Sequence, residues 1–343
     1  MRAGIDAQLA VGTATGIGEY VLGLVPALRA HGVDVVELSQ PRLDPWRFDR
    51  RVIWDQIVLP RAADRERIDV LHCAAGTMPL RASVPIVVTV HDVAWLRHQE
   101  HARPYARWYF GDFALRRYRG AAQILTDSAF SKAELIALSG IEADRIAVAY
   151  PGVARDFAQL ERQPRDPPTV LAVGTVEPRK NLAVAIRAIA PLEGVRLISV
   201  GPPASYLDEC RQLVRSLGIA DRVEFRGYVD RAELVRLYQT CTVAVAPSTY
   251  EGFGYAAAQA LCAAVPLIAS NASSLPEIVA GDAPLVDPRD AYAWTDALRS
   301  LLDDRAAQER AAQVRARNIE RFTWESAART IAATYAAAYA LYG

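Results

Sequence analysis

The sequence predicts an α/β protein of two Rossmann-like domains, each a doubly wound parallel sheet covered by helices, facing a central cleft. Three observations carry that expectation. The chain has 343 residues, too many for one ordinary core. Short apolar runs alternate with helical stretches along both halves, the rhythm of parallel sheets covered on both faces. A polar run with Pro164, Pro167 and Pro168, spanning 160–169, reads as a joint between the halves. The domains are therefore expected at 1–160 and 169–321. A last helix over 322–343 is expected to pack back toward the first domain.

Composition narrows the function classes. Apolar residues make up 52% and charged residues 23%, ordinary for a globular protein. Formal net charge is zero, so nothing draws the whole chain to nucleic acid or acidic lipid. Cys73, Cys210, Cys241 and Cys262 are far apart in sequence and form no metal-ligand spacing; the first, third and fourth sit among apolar residues and read as small core side chains. No signal peptide and no membrane-length apolar run is visible, so a cytoplasmic protein is expected.

Taken in order, the chain opens on a strand over 1–8, a loop with Gly12, Gly16 and Gly18, and a helix from Glu19 to Ala30 with Tyr20, Leu24 and Leu28 on one side. The loop is either a tight turn or a ligand loop; it lacks the full dinucleotide fingerprint. Strands are predicted at Val33–Leu38, Val70–Cys73 and Ile86–Val90. The last ends in His91, at the strand end that faces the ligand crevice of an open α/β sheet. Residues 95–120 hold six arginines against Glu100 and Asp112, interleaved with aromatics. They read either as helices packing aromatic faces inward or as an acceptor or membrane-surface patch. Strands follow at Gln123–Thr126 and Ile146–Ala149, with a helix between them opened by a capping box of Ser131 and Glu134.

The second half repeats the pattern, with strands at Val170–Val173, Arg196–Val200, Val223–Phe225, Val243–Ala246, Pro266–Ile268 and Pro284–Val286. Helices are predicted at Asn181–Ala190, Tyr206–Leu217, Arg231–Gln239, Ala256–Ala264, Tyr292–Leu302, Ala306–Arg321 and Trp324–Tyr342. The stretch 241–278 is the most telling. A strand runs into a glycine-bearing loop, Glu251-Gly252-Phe253-Gly254, and then into a short helix whose first N–H groups form an anion site. A carboxylate in such a loop would repel phosphate, so the ligand it suits carries neutral hydroxyls near Glu251 and a phosphate near the amides: a nucleotide-sugar. Arg179 and Lys180, at the start of another helix, oppose that helix's dipole and imply an anion lying opposite.

With TVHD at 89–92, VGTVEPRKN at 173–181, RVEFRGYV at 222–229 and PSTYEGFGYAAAQAL followed by ASNASSLPE at 247–277, the sequence resembles retaining glycosyltransferase family 4, of the two-domain GT-B fold. The resemblance spans nearly the whole chain. It implies a nucleotide-sugar co-substrate, no cofactor and transfer with retention. The first domain would serve the acceptor and the second the nucleotide-sugar. Lys180 and Arg179 would hold the diphosphate, Glu251 the sugar hydroxyls, and Gly252, Phe253, Gly254 and Tyr255 the phosphate or sugar. His91 would stand beside the sugar ring, Gly16, Ile17 and Gly18 near acceptor and phosphate, and Tyr228 and Val229 near the base. The variant EPRKN resembles bacterial mannosyltransferases of surface-polysaccharide assembly, which points to GDP-mannose.

Two positions depart from the family pattern. Gln259 stands where the family has a second Glu, which weakens the ribose contact. Thr175, after the strand's Gly174, stands where Arg is common. If 251–259 were one helix, Glu251 and Gln259 would lie about 12 Å apart along its axis, the span from sugar to ribose. No metal is expected, since Arg179, Lys180 and a helix terminus can stabilise the leaving diphosphate. The favoured mechanism is front-face, with Glu251 positioning rather than attacking. The alternatives are a degenerate nucleotide-sugar binding protein, a transferase using a UDP- or dTDP-sugar, and a phosphorylase-type enzyme, which Lys132 and Lys180 alone would have to serve.

Overall fold

The computed structural model describes residues 1–11, 16–44, 46–97, 104–204, 206–304 and 306–342. It contains two compact units, one formed by Met1–Gly152 with Phe322–Gly343, the other by Val153–Arg321.

The first unit is a six-stranded parallel sheet. Its strands are β1 (Arg2–Asp6), β2 (Asp34–Leu38), β3 (Val70–Cys73), β4 (Ile86–Val90), β5 (Gln123–Thr126) and β6 (Ile146–Val148), in the order β2-β1-β3-β4-β5-β6. Strands β3 and β4 are buried along their whole length, as expected of apolar runs covered on both faces. Ile5, Leu24, Leu28, Val70 and Val87 form the core with Ile331 and Tyr335 of the last helix, Trp324–Ala340. That helix is joined to this unit by close approach. A Cβ on Gly23 or Gly152 would fall within 2.4 Å of Trp324 atoms, so only glycine admits the indole there.

The second unit is another six-stranded parallel sheet: β7 (Thr169–Val173), β8 (Arg196–Val200), β9 (Val223–Gly227), β10 (Val243–Ala246), β11 (Leu267–Ser270) and β12 (Leu285–Val286), in the order β12-β11-β10-β7-β8-β9. The chain runs outward from β7 through β8 to β9, then returns to β10 on the other side. The strand order therefore reverses between β7 and β10, and crevices form beyond the carboxyl ends of strands at such a point. Trp294, Leu298, Ile186 and Ile189 fill the core on one side of this sheet.

Three expectations need correction. Gly16, Ile17 and Gly18 are not loop residues but open the helix Gly16–Ala30; Gly12, expected with them, lies outside the described residues. The run 160–169 is not a free joint but part of the second unit. Its backbone donates from Gln163 and Arg165 to the carbonyls of Gln239 and Thr240, and Arg162 donates to the carbonyl of Cys241 at 2.5 Å. The helix Ala129–Ser139 is capped by Ser128, whose hydroxyl accepts from the Ser131 N–H at 3.0 Å. Glu134 of the expected capping box instead takes a bidentate pair from Arg97, both at 2.7 Å. The stretch 251–259 is a turn followed by a helix, as the sequence suggests, so the axial spacing of one continuous helix does not apply to Glu251 and Gln259. Gly254 adopts φ 99°, which a side chain would strain, and the helix is Tyr255–Cys262.

Candidate active site

The carboxyl ends of β7, β8 and β10 open on a pocket lined among others by Gly174, Thr175, Lys180, Ser199, Ser248 and Glu251. It lies at the reversal of strand order. Its walls meet because Gly201, after β8, has no side chain: a Cβ there would lie 2.0 Å from the Gly174 carbonyl oxygen.

Each charged group on this pocket is placed by identifiable bonds. A 3-10 turn, Pro178–Lys180, follows β7 and ends in Asn181 at φ 54°. The Asn181 amide donates to the carbonyls of Pro247 and Pro288 at 3.0 and 2.7 Å, and the Thr249 N–H donates to the Arg179 carbonyl at 2.8 Å. The loops after β7 and β10 are thus stitched together. Ser273 and Ser274 hold the Glu251 loop from the other side. The Ser273 hydroxyl accepts from the Glu251 N–H at 2.9 Å, and the Ser274 hydroxyl serves the carbonyls of Glu251 and Phe253 at 3.0 and 2.9 Å.

The result brings Lys180, Arg179 and Glu251 together. Lys180 Nζ lies 2.5 Å from Glu251 Oε1, and the Ser248 hydroxyl donates to the same oxygen at 2.7 Å. Arg179 lies 3.5 Å from Glu251 Oε2 and 2.8 Å from a Glu177 oxygen. Burial pushes the Glu251 carboxyl up, but Lys180 and Arg179 outweigh it and hold the group below its ordinary range, as a carboxylate. The two cations read from the sequence as facing an outside anion therefore face a carboxylate of the protein itself.

The other expected residues divide. Gly254 lines the pocket, but Gly252, Phe253, Tyr255 and Gln259 do not. Gln259 lies one turn into its helix, where its amide oxygen accepts from the Tyr238 hydroxyl at 3.3 Å. Tyr228 and Val229 follow β9, the edge strand farthest from β12, and Tyr228 is half exposed.

In the first unit, His91 sits at the end of β4 as the sequence suggests, but both ring nitrogens are engaged. Nδ1 lies 2.6 Å from Asp127 Oδ2 and Nε2 lies 2.8 Å from the Ala74 carbonyl oxygen. A carbonyl and a carboxylate both accept, so this geometry suits a doubly protonated imidazole. Burial disfavours its charge, and Asp127 overrides that and raises the His91 pKa. Tyr20 packs against the ring in a T-shaped arrangement, with 4.9 Å between centroids. Sequence reasoning missed Asp127, although it stands at the end of β5 by the same logic that singled out His91. It also missed Ser248, Ser273 and Ser274, which carry no signal beyond being small and polar near a loop.

Residues 155–319 match the family described as Glycosyl transferases group 1, and residues 14–157 match Glycosyltransferase Family 4. The chain is 31% identical over 292 residues to a D-inositol 3-phosphate glycosyltransferase of Mycolicibacterium smegmatis, an alignment spanning 76% of this chain and 64% of that protein. It is 32% identical over 259 residues to the O-antigen chain mannosyltransferase B of Escherichia coli, spanning 70% and 67% of the two chains. Among solved structures, the sucrose-phosphate synthase of Thermosynechococcus elongatus superposes with a TM-score of 0.79 at 22% identity, over 99% of each chain, which shows a shared fold.

Proposed function

Since the chain belongs to the group 1 and family 4 glycosyltransferases, we propose that it moves a sugar, mannose from GDP-mannose, to a hydroxyl of a glycan, lipid-linked or small-molecule acceptor with retention of configuration. The observation that carries this reading is the convergence of Lys180 and Glu251 on one pocket at the strand-order reversal of the second sheet, with Arg179 paired to the same carboxylate. Two cations suit a leaving diphosphate, and a carboxylate beside them suits sugar hydroxyls. Gly252 to Tyr255 would lie along the phosphate and sugar, Gln259 at the ribose, and Tyr228 and Val229 at the base. The mannosyltransferase relative supports the choice of sugar.

In this proposal the reaction is front-face. The bond from the anomeric carbon to the phosphate oxygen breaks through an oxocarbenium-like state. The acceptor oxygen bonds to the same face, and its proton passes to the departing phosphate oxygen. Lys180 and Arg179 stabilise the charge that develops there, so no metal is required and a chelator leaves the rate unchanged. His91 and Gly16, Ile17 and Gly18 are proposed, on the family resemblance, as sugar and acceptor residues. The test is GDP release from GDP-mannose with a panel of phosphoinositol, glycan and lipid-linked acceptors, with UDP- and dTDP-sugars run beside it. Acceptor-dependent GDP release supports the reading. A donor that binds and is never consumed favours the degenerate binding protein.

We also propose a peripheral membrane contact through the 95–120 segment, at the inner face of the membrane. Trp95, Tyr105 and Trp108 expose 41 to 54% of their surface, and Arg116 is exposed on the same segment, while Tyr109 packs inward and donates to Asp55 at 2.8 Å. His98 to Arg103 lie outside the described residues. No helix among the described residues is long and apolar enough to cross a membrane. Co-sedimentation with anionic vesicles at low salt is expected, and its absence would favour a contact-free protein.

A further inference from the structure

We propose that Glu251 sorts donor from product: it makes the site hold a nucleotide-sugar in preference to the bare nucleoside diphosphate. This rests on the reading of Lys180 as the diphosphate ligand. The Lys180 ammonium is already bonded to Glu251 Oε1 at 2.5 Å, and Ser248 donates to that same oxygen at 2.7 Å. Glu251 is only 9% exposed, and its backbone is fixed by Ser273 and Ser274. A phosphate that reaches Lys180 therefore meets a carboxylate already on it.

The two ligands differ in what they offer that carboxylate. A nucleotide-sugar brings hydroxyl donors next to its phosphate. Glu251 can exchange Lys180 for those hydroxyls and remain hydrogen-bonded, while Lys180 turns to the phosphate. A nucleoside diphosphate brings only more negative charge. Glu251 must then either stay on Lys180 and repel the phosphate, or give up its partner and remain buried with fewer bonds, which is costly for a carboxylate. Arg179 does not remove the conflict, because it also faces Glu251 at 3.5 Å and Glu177 at 2.8 Å. Interactions that differ between bound species are the ones that shape turnover. Here the difference weakens the hold on the product once the sugar has left.

Were Glu251 a sugar ligand alone, its removal would leave diphosphate affinity unchanged. The experiment is calorimetric titration of GDP and GDP-mannose, and of UDP and UDP-glucose, into wild type and Glu251→Gln. Glu251→Gln removes the charge and retains the shape. It is expected to bind the bare diphosphate about tenfold tighter while binding the nucleotide-sugar no tighter, so that the preference for donor over product collapses. In steady state the same variant shows stronger product inhibition. Glu251→Asp, which keeps the charge but withdraws it by one methylene, is expected to shift in the same direction by less, and it serves if Glu251→Gln does not fold. Wild-type binding with unchanged or weaker diphosphate affinity in the folded variants overturns the sorting role and leaves the proposed function standing. A wild type that binds none of the four nucleotides overturns both.

Discussion

The carboxyl ends of the two sheets both hold charged side chains and use them in opposite ways. In the first unit they are consumed by one another. Arg51, at the heart of that end, lies 2.8 Å from Asp6 and from Asp55, and the Trp54 indole donates to Asp6 at 2.9 Å. His91 is held between Asp127 and the Ala74 carbonyl. In the second unit Lys180 and Arg179 keep about a fifth of their side-chain surface exposed beside a pocket, and their carboxylate partner is shared. A fully enclosed ion pair fixes a shape, because removing either partner leaves a buried charge alone. A shared, half-open one can change partners. The contrast teaches that charge at a strand end is not in itself evidence of ligand binding; what matters is whether its partners close it off.

That contrast yields graded expectations. The largest effect falls in the closed cluster. Arg51→Met is expected to lower stability by about 4 kcal/mol, since Asp6 and Asp55 lose their common cation in the core. Chemical denaturation measures it, and a loss under 1 kcal/mol would erase the distinction between the two ends. Next is Lys180→Ala in the open cluster, which is expected to reduce turnover about a hundredfold with saturating donor and to change stability by about 1 kcal/mol. Normal turnover would show that Lys180 is as structural as Arg51.

Third is Asp127→Asn, with a pH signature. Asp127 raises the His91 pKa while burial raises that of Asp127 itself, so the charged pair stabilises the fold below the ordinary histidine value of 6.5 as long as Asp127 stays ionised. That contribution is lost as pH rises through the higher folded value. The variant is therefore expected to be about 2 kcal/mol less stable at pH 6, with the gap to wild type narrowing in alkali. A gap independent of pH would mean that His91 is neutral throughout. The smallest effect is that of Gln259→Glu, expected to tighten nucleotide binding about threefold by offering the ribose a charged acceptor; no change would remove Gln259 from the ribose.

The fold was highly legible in the sequence for a physical reason: a strand such as Ile86–Val90 is buried along its whole length, and a β-branched run of that kind has few other uses. The chemistry was legible where a charge stood at an improbable place, as Glu251 and Lys180 do. What was not legible depends on contacts between distant segments. Nothing local indicates that Lys180 pairs with Glu251 across 71 positions, or that Asp127 meets His91 across 36. Gly16 and Gly18 read as loop because glycine is a poor helix former, yet they begin a helix. Ser131 reads as a cap because serine three residues before a glutamate has that pattern, but the helix starts one turn earlier and Ser128 accepts from the Ser131 N–H.

The account turns on Lys180 as the diphosphate ligand of a nucleotide-sugar site. Calorimetric titration of GDP-mannose and UDP-glucose into wild type and Lys180→Ala addresses it most directly. The account predicts that wild type binds at least one of them, and that the variant, still folded by its melting temperature, binds it at least about tenfold more weakly through loss of a charge-assisted bond. Equal affinity in the two proteins would contradict it.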